Sequence, residues 1–166
     1  PTFHERYEVA PDNVSAELIG GVVYMPAALR IEHGDVHGEI MVWLKTYKAS
    51  TPGTLAVDNT SVILAEDSEP QPDATLLILP QFGGQTKIKD GYIHGAPELA
   101  VEVALSNEAY DLHAKRRDYE RHGVTEYLVL LLREKRVVWF VRENGKFTEL
   151  APGKDGVLRS GVFGGL

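Results

Sequence analysis

The sequence predicts an α/β protein, a central mixed β-sheet of mostly buried strands with two main flanking helices. Three observations predict it. The runs 74–79, 99–105 and 126–132 are almost continuously apolar and too short for helices, so they read as buried strands. The stretches 33–47 and 107–122 carry apolar residues at helical spacing instead. Strand and helix patterns also alternate along the chain without a repeat or a long linker, so residues 1–166 read as a single domain.

Taken in order, residues 17–25 read as two short strands around the Gly20-Gly21 turn. In the first helix Val36, Ile40, Trp43 and Tyr47 form the core stripe, and Thr51-Pro52-Gly53 ends it. Residues 55–64 alternate loosely as a strand, and 66–72 form a polar turn. Asp73 opens the strand 74–79. The Gly-rich, polar stretch 81–97 reads as an excursion, a small hairpin at the sheet edge. The strand 99–105 leads to the second helix, capped by Ser106 or Asn107 and stopped by Gly123. Strand 126–132, a turn at 133–135, a returning strand 137–141 and a last strand at 147–150 complete the sheet.

Composition narrows the chemistry. With 43% apolar and 25% charged residues the chain is ordinary for a globular protein. No apolar run approaches the roughly 18 residues that span a bilayer, and no signal-peptide pattern opens the sequence. Cysteine is absent, which excludes disulfides and thiolate metal sites and makes a cytoplasmic location the expectation. The net charge of −7 argues against nucleic acid as a partner, but it is unevenly spread. Residues 1–110 hold 6 Lys and Arg against 16 Asp and Glu, whereas 111–166 hold 11 against 8. The basic clusters at 115–121 and 133–146 read equally as solvated faces or as phosphate-facing patches.

Glu102 stands inside the run Leu99-Ala-Val-Glu-Val-Ala-Leu105. A buried unpaired carboxylate is costly, so a metal ion, a cationic side chain or a shifted proton must accompany it. Alternation along the strand gives Leu99, Val101 and Val103 the core face and puts Ala100, Glu102 and Ala104 on the other, with space beside the carboxylate. Asp73, after Pro72 at the mouth of another buried strand, is a turn residue or the second acid of a hard-oxygen Mg²⁺ site. In the following helix, at about 100° per residue from Leu112, Lys115 flanks the inward stripe at about −60°, beside Asp111. Arg116, at about +40°, is the rival cation. His33 lies near the stripe of the first helix, His37 points further from it, and Glu39 flanks its other side. Nucleophile-elbow, zinc-protease and P-loop motifs are absent from the sequence.

These residues form a recognisable series. Pro72-Asp73, Glu102-Val103-Ala104-Leu105-Ser106, Asp111, Lys115, Tyr119, Gly123-Val124 and Glu126-Tyr127 resemble the bacterial Uma-two family of restriction-endonuclease-like proteins, in the PD-(D/E)XK nuclease superfamily. Glu17-Leu-Ile-Gly-Gly-Val-Val, His33-Gly34 and the closing Leu158–Leu166 segment extend the resemblance over nearly the whole chain. It implies a restriction-endonuclease-like fold and metal-dependent hydrolysis of phosphodiester bonds in DNA, with Mg²⁺ as cofactor and Mn²⁺ as substitute. Asp73 and Glu102 would hold the metal, and Lys115 would complete the catalytic set. The superfamily's usual lysine, two residues after the Glu, is Ala104 here, and the resemblance implies that Lys115 replaces it from the helix. Glu17 and His33 rank second for metal or water contact, and Arg116, Arg117 and Arg121 are candidates for phosphate contact. The resemblance also suggests a homodimer. Asn107, Leu128 and Gly20 depart from the family's common Pro, Trp and acidic residue. The rival readings are a non-catalytic DNA-binding or interaction module that retains the nuclease fold, and a metal hydrolase acting on a smaller phosphoester.

Overall fold

The computed structural model describes residues 2–11, 13–106 and 108–166. A short helix, α1 (Phe3–Tyr7), is closed by a Thr2/Glu5 capping box. Strands β1 (Glu17–Ile19) and β2 (Val22–Tyr24) pair antiparallel as expected. Gly20 and Gly21 join them with φ of +55° and +80°, the positive values that a two-residue turn of this kind demands.

Helix α2 (Ile31–Ser50) is longer than its predicted core at both ends. Its inward line is His33, Ile40 and Leu44, with His37 half-buried between them. Val36, Trp43 and Tyr47 flank that line, so both histidines lie nearer the protein interior than the apolar stripe suggests, and Glu39 is exposed.

The stretch read as one strand over 55–64 is two. β3 (Thr54–Asp58) ends where Asn59 takes φ +42°, and β4 (Val62–Ile63) leaves for another sheet. β5 (Ala74–Ile78) follows, and then β6 (Lys87–Lys89) and β7 (Tyr92–His94) form the predicted hairpin. That hairpin does not lie on the edge of the main sheet. β7 pairs parallel with β4, and the three strands make a small sheet of their own. The remaining strands are β8 (Leu99–Ala104), β9 (Glu126–Leu131), β10 (Arg136–Glu143) and β11 (Lys146–Glu149).

The main sheet has the order β11-β10-β9-β8-β5-β3, mixed as expected: β8 and β9 run parallel and the other neighbours antiparallel. The β8–β9 connection contains a π-helical turn (Tyr110–Lys115) that runs directly into α3 (Arg116–His122), which ends on Gly123 at φ +93°. The cap read at Asn107 lies outside the described residues.

Both faces of the sheet are covered. On one, Ile40 and Leu44 of α2 pack with Ala56, Leu76, Leu99 and Val101. Phe163 and Leu166 of the irregular C-terminal segment close that cluster. On the other, Ala100, Ala104, Tyr127 and Val129 pack with Tyr119, Val124 and Phe140. The face carrying Glu102 is therefore a second core, not an open surface, because α3 folds back over it. Among the described residues no helix is long and apolar enough to cross a membrane.

Candidate functional site

Strand register brings the two predicted acids together. In the antiparallel β5–β8 pair Ala74 stands opposite Val101, so Asp73, one residue earlier, comes level with the middle of β8. There the Val103 N–H donates to Asp73 Oδ2 at 2.7 Å. The same carboxylate oxygen lies 3.3 Å from His33 Nε2. His37 Nε2 approaches the Asp73 carbonyl at 2.8 Å and Asp58 Oδ1 at 3.1 Å. Two histidines one helical turn apart thus brace the backbone and the side chain of Asp73 from α2.

Glu102 is almost completely buried, and the reason it survives there is local. Lys115 Nζ donates to Glu102 Oε1 at 2.9 Å, and the Tyr119 hydroxyl donates to the same oxygen at 2.9 Å. Lys115 also lies 3.0 Å from Glu17 Oε2. Glu17 is held in turn by the Gln71 N–H (3.2 Å) and the Tyr110 hydroxyl (3.2 Å).

The π turn is what allows this convergence. Across two four-residue steps an ordinary α-helix drifts by about 80°. Here the Arg116 N–H reaches the Asp111 carbonyl five residues back, and the wider turn takes back part of that drift. Asp111, Lys115 and Tyr119 are consequently all buried on the sheet side.

Asp111 is the site residue that sequence reasoning placed beside Lys115 but did not select. It is 7% exposed, lines the cleft, and has no side-chain hydrogen-bond partner among the described residues. Its spacing of four from Lys115 was the available signal.

The electrostatics follow from four carboxylates sharing one ammonium. Burial pushes Glu102 well above the ordinary carboxylate range; Lys115 opposes this, and Asp73, Asp111 and Glu17 add to it. Burial raises Asp111 to about 6, again against Lys115 and with Asp73 and Glu17. For Lys115, burial disfavours the charge, but Glu102, Glu17 and Asp111 outweigh it and hold the ammonium protonated. Asp73 is also penalised by burial, yet His33, the Val103 N–H and Lys115 bring it below its usual value. His33 is raised mainly by its hydrogen bond to Asp73.

These groups line a cleft of about 800 Å³ between β1–β2, the start of α2 and the π turn. The three arginines proposed for phosphate contact lie off it. Arg116 stacks 4.4 Å above the Phe140 ring, Arg117 is exposed, and Arg121 pairs with Asp67. Lys115, the last residue of the π turn, and Arg116, the first of α3, point to different sides, which decides between the two rival cations for Glu102. The cation that does reach the cleft mouth, Arg30 at the start of α2, was not singled out in the sequence.

Comparison with known proteins bears on the fold and on the family. No curated protein matches the sequence. The fold is shared with the crystal structure of "a putative nuclease belonging to DUF820" from Anabaena variabilis ATCC 29413, at a TM-score of 0.71 and 14% identity, covering 96% of this chain and 94% of that one. The model of the Uma2 family, described as "Putative restriction endonuclease", matches residues 1–165, so the chain belongs to the Uma2 family.

Proposed function

We propose that this chain is a divalent-metal-dependent endonuclease that hydrolyses phosphodiester bonds in DNA at the cleft around Glu102. The observation that carries this reading is the charge imbalance of the site. Glu17, Asp73, Glu102 and Asp111 surround a single lysine, and among the described lining residues His33 and Arg30 are the other groups that can add positive charge. Metal-free, such a cluster must take up protons; a divalent cation relieves the same repulsion.

The donor set fits Mg²⁺. Among the described residues no three His, Asp or Glu side chains form a ready-made cage. Mg²⁺ does not need one, since it commonly takes one or two carboxylates and fills its remaining positions with water and substrate phosphate. Asp73 and Glu102 are the residues that would hold it. When bound, the ion supplies Lewis-acid stabilisation of the charge that builds on the phosphate.

The chain's own groups do the rest. Lys115 keeps its proton against burial, and its Nζ lies 2.9 Å from Glu102 Oε1, where the ammonium can also hydrogen-bond an attacking water or a non-bridging phosphate oxygen. That is the work done in PD-(D/E)XK nucleases by a lysine at the position of Ala104. Tyr119 fixes Glu102, and His33 and the Val103 N–H fix Asp73, so neither carboxylate must reorganise during the reaction. Asp111, raised to about 6, is suited to accept a proton near neutral pH.

The test is cleavage of plasmid and linear DNA by purified protein with Mg²⁺ or Mn²⁺, with and without chelator. Asp73→Asn and Glu102→Gln should each lower the rate about 10²-fold or more. Undiminished cleavage in either variant rejects the site. One observation favours the second reading, a non-catalytic module: Lys115 is already engaged by two carboxylates. Calorimetric titration separates the two, since a folded protein without affinity for Mg²⁺ or Mn²⁺ supports the module.

A further inference from the structure

The cleft has a second chemistry that metal binding and hydrolysis do not use. Beside Glu17, the strand partner of Tyr24, Tyr24 and Tyr110 lie with ring centroids 4.4 Å apart, tilted by 44°. The next residues outward are apolar and uncovered: Met25 is 72% exposed and Leu29 is 68% exposed. All four line the cleft. Tyr110 is fixed from behind, its hydroxyl on Glu17 and its ring 5.5 Å from Lys115 Nζ. The aromatic step is therefore tied to the same groups that hold the acidic centre.

Cations are scarce in the same place. Among the described lining residues the lysines and arginines are Arg30 and Lys115, and Lys115 is engaged by Glu102 and Glu17. A duplex is held mainly through rows of phosphate contacts, and its bases are already stacked and turned inward. An unpaired strand presents a free base face, and aromatic side chains bind such faces at about 1–3 kcal/mol per base.

We infer that the cleft selects an unpaired DNA strand, stacking a base on the Tyr24–Tyr110 wall while one phosphate, steadied by Arg30, meets the carboxylate centre. This rests on the nuclease reading for the phosphate and on the aromatic wall for the strand preference.

The experiment is fluorescence anisotropy with a short labelled oligonucleotide, single-stranded or annealed to its complement, with and without Ca²⁺. The single strand should bind about tenfold more tightly than the duplex, the value of stacking one base. Tyr24→Ala should remove about that factor, and Tyr24→Phe should keep it, which separates lost stacking from a disturbed hairpin. Equal or tighter binding of the duplex, or an unchanged single-strand affinity in Tyr24→Ala, overturns the inference. Retained single-strand preference without cleavage of any DNA would reject the nuclease reading and leave the strand preference standing.

Discussion

Replacing Lys115 by Met tests the electrostatic core of the site directly. Met preserves most of the buried stem and removes only the ammonium, so packing changes little. Glu102 and Glu17 lose a partner at 2.9 and 3.0 Å, in a place where both are at most 9% exposed. Breaking a buried pair by removing one member costs about 3–5 kcal/mol, because the other charge stays buried. For a domain of this size that lowers Tm by about 6–20 °C. The loss should depend on pH. Glu102 already has a folded pKa above its unfolded value, so the folded state binds the extra proton and stability falls as pH rises through the folded pKa. Without Lys115 that pKa rises further. The deficit of the variant should therefore be smaller near pH 5 than at pH 8. Thermal unfolding of both proteins across that range is the assay. A deficit of under about 1 kcal/mol at pH 8, or one that does not change with pH, would refute the proposed coupling.

Other substitutions probe separate parts of the structure. Asp111→Asn should stabilise the metal-free protein at pH 8 by up to about 3 kcal/mol, because a carboxyl raised to about 6 contributes stability below pH 4 that is lost above its folded pKa; the variant should also cleave more slowly. Chemical denaturation at pH 4 and pH 8 checks the sign, and equal effects at both would count against it. Tyr119→Phe removes one donor from buried Glu102 and should cost about 1–2 kcal/mol in a urea titration. Glu126, 1% exposed, accepts from Trp139 Nε1 and from the Gly161 and Val162 N–H groups. Glu126→Ala should release the C-terminal segment, seen as faster amide exchange at Gly161 and Val162, and unchanged protection there would contradict this role.

Much of the fold could be read from local pattern. The strands around Asp73, Glu102 and Glu126 announce themselves because a strand buried on both faces must be apolar almost throughout. The β1–β2 hairpin is equally local, since paired glycines permit the turn. The reading failed where partners were chosen from elsewhere in the chain. Residues 55–64 look like one strand, yet Asn59 breaks them and Val62 joins Ile93. Neither the break nor the partner has a periodic signature.

The site divides in the same way. That Glu102 needs compensation follows from its neighbours alone, since the cost of a buried charge does not depend on knowing the fold. Asp73 and Lys115 could also be named, as an acid at a strand mouth and a cation on an inward flank. Three matters were left to the tertiary structure. The π turn decided that Asp111, Lys115 and Tyr119 would face inward together, because a one-residue change in hydrogen bonding rotates every side chain after it. Packing of α3 on the sheet decided that Arg116 would stack on Phe140 rather than reach an acid. The meeting of β1–β2, α2 and the π turn decided that the cleft would be acidic at its base and aromatic along one wall. Burial and alternation act on neighbours along the chain and leave their mark in sequence, whereas the sharing of one ammonium by distant carboxylates exists only once the chain has folded.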